Sequence, residues 1–137
     1  MNSTYYCSNK SYRFSFSLEI KYDDIFTKIS IITINIEHKK TKRKWSSTYY
    51  KTIPEEEGLE SEYIIPLTCE TAFYLILKYC EESGINHDYE IIFPDNSVNH
   101  ILEIKIKTKI RFGDLTICKI YNMRIIEIPI NSVVLLS

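Results

Sequence analysis

Glutamine is absent from this 137-residue chain, alanine occurs once (Ala72), and there are only three glycines. The glycines stand apart, so no glycine-rich loop exists to cradle a phosphate. There is no GxSxG, and His38, His87 and His100 belong to no HExxH, which leaves no nucleophile elbow and no zinc-protease signature. Cys7, Cys69, Cys80 and Cys118 are scattered without a CxxC, so they are read as free thiols, three of them in the core. No run reaches the roughly 18 apolar residues of a membrane span, and Met1–Cys7 holds no apolar signal core. An intracellular, cytoplasmic or nuclear, protein is expected, with no membrane partner. The formal net charge of −1 excludes bulk attraction to nucleic acid, so any such binding must come from a local patch. Together these absences give no catalytic residues, no metal ligands and no cofactor, and a non-enzyme is expected. Abundant Ile, Tyr, Lys and Asn beside so little Ala point to an A+T-rich genome, such as that of a protist, a microsporidian or a large DNA virus.

What the chain does contain is alternation. In 101–112, Leu102, Ile104, Ile106, Ile110 and Phe112 share one parity, and Glu103, Lys105, Lys107, Lys109 and Arg111 share the other. Successive strand side chains point to opposite faces, so this segment predicts a strand with one dry and one basic face. Tyr12, Phe14, Phe16, Leu18 and Ile20 alternate with polar residues in the same way. Asp23-Asp24 reads as a turn. Residues 29–36 are apolar on both parities, which predicts a central strand covered on both sides. Lys39 to Lys44 reads as a basic hairpin tip, with 45–50 returning as a strand. Further strands are expected at 89–93, 115–120 and 124–130, with a Gly113-Asp114 turn and a bulge or bend at 121–123 where the inward parity shifts.

One helix is expected, over about 69–83. Cys69, Ala72, Phe73, Ile76 and Cys80 share a face, Thr68 is the N-cap, Glu70 sits in the first turn, and Gly84 ends it. The order predicts a single domain over 1–137 of α+β class. It is mainly antiparallel β, about seven strands and sandwich-like, with the helix inserted between strands.

The candidate interaction surface comprises Lys39, Lys40, Lys42, Arg43, Lys44 and Trp45 of the hairpin with Lys105, Lys107, Lys109 and Arg111 of the basic strand. Such residues bind phosphates by counterion release, and equally keep a sheet soluble and unpaired. Trp45 is read either as an anchor under the hairpin or as an interface hot spot. Glu55, Glu56, Glu57, Glu60 and Glu62 lack metal-ligand spacing and read as a solvated loop.

Residues 32–37, then Thr41, then Lys44-Trp45-Ser46-Ser47-Thr48-Tyr49 resemble the second and third strands of the head domain shared by end-joining repair scaffolds and centriolar assembly proteins. The later strands, at 89–93 and 101–112, follow that family's order. The resemblance implies a non-enzymatic, self-associating scaffold. Glu55-Glu56-Glu57-Gly58, then Ile64-Ile65-Pro66-Leu67, then 75–82 resemble the acidic loop, strand and helix of the F-box-binding BTB/POZ adaptor of ubiquitin ligases, and Cys118-Lys119 and Asn122-Met123 are similar to a later helix of it. That resemblance implies a ubiquitin-ligase adaptor with helices across 100–125, where the alternation predicts strand, so it ranks second. The expected function is a protein-interaction or assembly module whose partner is another protein or a second copy of the chain. A viral protein that binds a host factor, and a nucleic-acid-binding domain using the basic strand face, are the alternatives.

Overall fold

A computed structural model describes residues 2–24, 26–56, 64–82, 88–96 and 98–129. Seven strands form one curled antiparallel sheet in the order β1-β2-β3-β4-β9-β8-β7. They are β1 (Asn2–Ser8), β2 (Tyr12–Asp23), β3 (Thr27–His38), β4 (Lys44–Tyr50), β7 (Tyr89–Ile92), β8 (Ile101–Phe112) and β9 (Leu115–Glu127). Short β5 (Thr52–Ile53) and β6 (Leu67–Thr68) pair separately and lead into α1 (Cys69–Glu81). The mostly β, α+β class read from the alternation holds. Its seven main strands lie in one sheet, and α1 supplies the second layer.

The inner face is dry because each strand contributes one parity to it. Tyr12, Phe14, Phe16 and Leu18 from β2 meet Ile32, Ile34 and Ile36 from β3 and Trp45 from β4. Leu102, Ile104 and Ile106 from β8 meet Tyr121, Met123 and Ile125 from β9. Cys69, Ala72, Phe73 and Ile76 of α1 cover this surface. Each large apolar side chain buried there contributes about 1.5–3 kcal/mol relative to exposure. The Thr68 hydroxyl accepts from the Thr71 amide (3.1 Å) as N-cap, and Glu70 in the first turn pairs with Lys28 (2.7 Å).

Two antiparallel meanders, β1–β4 and β7–β9, join at a narrow seam. Only Trp45↔Glu127 and Ser46↔Ile126 pair across it. Farther along β9 the chain after β5 takes over. The Asn122 amide donates to the Pro54 carbonyl (3.0 Å), and the Glu56 amide donates to the Ile120 carbonyl (2.8 Å). The curl brings the β1–β2 turn to the segment after β7. There the Asn9 amide side chain donates to the Pro94 carbonyl (2.7 Å), and Phe14 meets Phe93 with centroids 5.1 Å apart.

Five details differ from the sequence reading. β1 is an added strand: its inward Ser3, Tyr5 and Cys7 are only half-buried, so its alternation carries little hydrophobic contrast. β3 is fully dry only on its Ile32, Ile34 and Ile36 side, since Thr33 is half-buried and Asn35 exposed on the other. No bulge occurs at 121–123, because β8 and β9 pair without a break from Ile101↔Ile126 to Phe112↔Leu115. The parity shift arises because Lys119 points inward, 4% exposed, and Ile126 points outward. α1 ends at Glu81, capped by Glu82; Ser83 and Gly84 lie outside the described residues. Finally, only Cys69 is fully buried, while Cys7 and Cys80 are half-buried and Cys118 is exposed. Residues 101–127 are strand apart from the Gly113-Asp114 turn, where the adaptor resemblance implies helix. Gly113 takes φ +58° there, a left-handed conformation glycine adopts without strain. Among the described residues no helix is long and apolar enough to cross a membrane.

Candidate functional site

The structure separates the ten residues of the expected interaction surface into two groups. One lies at the seam. The other lies out along β8, where Arg111 is about 33 Å from Ile101 at ~3.3 Å per residue.

At the seam, Trp45 is wholly buried, and its indole N–H donates to the Asn99 carbonyl (2.9 Å). It meets Tyr12 edge-on with centroids 5.7 Å apart. Trp45 therefore anchors the hairpin from within and presents no surface to a partner. Arg43 lies over its ring (5.4 Å) and grips Glu127 with two hydrogen bonds of 2.6 and 2.7 Å. The His100 ring nitrogen meets the same carboxylate at 2.8 Å. Glu127 is thus held at about 2, first by the Arg43 hydrogen bonds, against the cost of burial, and then by His100. Arg43, expected as a free cation, is committed to this clasp. The hairpin tip keeps Lys40, Lys42 and Lys44 exposed and Lys39 half-buried. The His38 ring caps the turn by accepting from the Lys40 and Thr41 amides (3.2 and 3.1 Å).

The basic strand is also partly spoken for. Glu56 pairs with Lys105 on the outer face, and Glu55 pairs with the inward Lys119 at 3.3 Å. Part of the expected solvated acidic loop therefore lies along β9, while Glu57, Glu60 and Glu62 lie outside the described residues. Lys107, Lys109 and Arg111 remain exposed, with Glu90 opposite Lys107 in register and the Asp88 carbonyl accepting from the Lys109 amide (2.8 Å) beyond it.

Two features escaped the sequence reading. The first is the free edge of β1. Its residues Asn-Ser-Thr-Tyr-Tyr-Cys-Ser carry no charge and no proline, and Tyr6 projects outward, 73% exposed. On the outer face Thr4, Ser17, Thr33 and Thr48 stand in register across β1–β4, with hydroxyl contacts Thr4–Ser17 (3.4 Å) and Thr33–Thr48 (3.1 Å). The second is a cavity of about 450 Å³ between β1, the end of α1 and Phe93, which both Cys7 and Cys80 line. The weak alternation of Asn2–Ser8 was the one available signal for the first. The second joins residues far apart in sequence and had none.

No family model matches this chain, and no curated protein or solved structure does either.

Proposed function

We propose that the protein is a non-enzymatic assembly module that associates with a second copy of itself by pairing β1 with β1. The observation that carries this reading is the unguarded edge. Natural sheets protect edges with lysine, proline, bulges or very short strands. β7, at the other edge, has four residues, whereas β1 offers seven uncharged ones. Among the described residues, no backbone group of β1 bonds to anything beyond the ladder with β2. Antiparallel pairing centred on Tyr5 places Thr4 opposite Tyr6, Ser3 opposite Cys7 and Asn2 opposite Ser8. That arrangement is isologous, and like charges never meet in it. The net charge of −1 adds little repulsion.

Main-chain hydrogen bonds contribute about 0.5–1.5 kcal/mol each, against an association cost of several kcal/mol, so a weak, concentration-dependent dimer is expected. Sedimentation velocity over a dilution series tests this. The wild-type chain shifts toward dimer as concentration rises, and the Thr4→Lys/Tyr6→Lys double variant does not. A wild-type chain that stays monomeric at the highest concentration overturns the reading. We place the protein inside the cell, where four free cysteines are at home.

A second reading, binding of a nucleic-acid backbone, is favoured by Lys107, Lys109 and Arg111, three exposed cations at strand spacing on one face. It requires binding to a single-stranded oligonucleotide that weakens with salt and is lost in the Lys107→Glu/Lys109→Glu/Arg111→Glu variant. Equal binding by that variant excludes it.

A further inference from the structure

The half-buried cysteines are a matched pair. Cys7 points inward from β1, and Cys80 lies in the last turn of α1. Their thiols face one another's electrostatic field, and Tyr5 lines the same cavity beside Cys80. Both thiols open into the 450 Å³ cavity, which is bordered by Tyr5, Phe14, Tyr79 and Phe93. A water occupies about 30 Å³, so a small reagent has ample room to reach them.

We propose that Cys7 and Cys80 are a redox-active pair that a peroxide converts to an intramolecular disulfide, tying β1 to α1. Two donors, the Cys7 thiol and the Tyr5 hydroxyl, favour negative charge on Cys80. The C-terminal end of α1 opposes it, but a helix terminus acts more weakly than hydrogen bonds to a charged sulfur. The Cys80 thiol is accordingly held at about 7, first by the Cys7 hydrogen bond, against burial, and then by Tyr5; Cys7 is pushed up by the same hydrogen bond and by burial. Cys69 is the internal contrast. It donates to the Tyr49 carbonyl (3.3 Å), and burial pushes it up to about 11.

The chemistry balances. The Cys80 thiolate attacks one peroxide oxygen, the O–O bond breaks, and hydroxide leaves and is protonated to water, giving a sulfenic acid. The Cys7 sulfur then attacks Cys80, the S–O bond breaks, and a second water leaves with the Cys7 proton. Two thiols are oxidised by two electrons in all, and one hydrogen peroxide is reduced to two waters. Both sulfurs open into the same cavity, so closure to the ~2.05 Å bond draws β1 and the end of α1 together across it. The proposal does not depend on what pairs with the edge of β1.

The test uses the full chain carrying Cys118→Ser, which removes the exposed thiol. After treatment with hydrogen peroxide, intact mass shows the loss of two hydrogens, and non-reducing digestion yields a Cys7–Cys80 linked peptide. With Cys7→Ser added, no link forms and Cys80 is trapped by dimedone as the sulfenic acid. At pH 7 iodoacetamide alkylates Cys80 faster than Cys69, and the Cys80 rate falls less steeply between pH 8 and pH 6 than that of an ordinary thiol. Tyr5→Phe slows that alkylation at pH 7 without unfolding the chain. Peroxide treatment that leaves Cys7 and Cys80 unlinked overturns the proposal, as does Cys69 reacting as fast as Cys80.

Discussion

Strands β1–β4 and strands β7–β9 turn their apolar rows to the same side of one sheet, yet they differ on both faces. The first meander mixes rings (Tyr12, Phe14, Phe16 and Trp45) with Leu18, Ile32, Ile34 and Ile36 inward and carries a row of hydroxyls outward. The second packs mostly aliphatic side chains inward (Leu102, Ile104, Ile106 and Ile125), with Tyr89 and Tyr121, and carries lysines outward. The consequence lies at the edges. The second meander ends in a four-residue strand beside a basic face, a combination that resists further pairing. The first ends in seven uncharged residues with nothing to refuse a partner. The two halves of one sheet thus end differently, one in a short strand beside a basic face and one in a longer uncharged strand.

The comparison breaks most severely at the seam. Trp45→Ala removes the buried ring that both meanders share and is expected to cost about 3–5 kcal/mol, read by urea denaturation. Because the seam has only two residue pairs, a transition that splits in two under this variant would show that the halves fold apart. A single transition shows that the core under α1 couples them.

Next in size is the Arg43–Glu127 clasp. The Glu127 carboxyl is lowered from the ordinary 4.5 to about 2 in the folded chain. A lowered folded value means stability that is full above about 4.5 and is lost as pH falls through about 2. Thermal midpoints measured across that window fall in the wild type. Glu127→Gln starts lower and flattens this part of the profile. An unchanged profile means that the clasp does not join the halves.

Smaller effects sharpen the contrast between the outer faces. Thr4→Lys/Tyr6→Lys leaves the thermal midpoint within a few degrees of wild type while suppressing self-association, since both side chains are exposed. Reversing Lys107, Lys109 and Arg111 to Glu sets like charges opposite Glu90 and Asp88, and is expected to cost about 1–2 kcal/mol while leaving self-association intact. Loss of association in this triple variant would move the assembly surface to the second meander.

Within the second meander, β8 was legible in the sequence as far as Ile106; beyond it Ile110 is only half-buried and Phe112, expected on the dry face, is exposed. Leu102, Ile104 and Ile106 alternate with charge, so period and burial carry the same signal. β9 was half-legible, because the inward Lys119 and outward Ile126 violate hydrophobic patterning while keeping the strand intact. The first meander's β1 was hidden by its polar composition. The basic residues were legible as charge but not as free charge. Arg43 meets Glu127 across 84 residues of chain, and Lys105 meets Glu56 across 49, distances over which pattern carries no information. The Cys7–Cys80 pair was invisible for the same reason.

Hydrogen exchange of the β1 amides at two protein concentrations tests the central claim most directly. If β1 pairs with β1, the backbone amides of Asn2–Ser8 that face away from β2 exchange slowly at high concentration and quickly on dilution, while those of β7 do not change. Exchange in β1 that is equally fast at both concentrations would contradict the account.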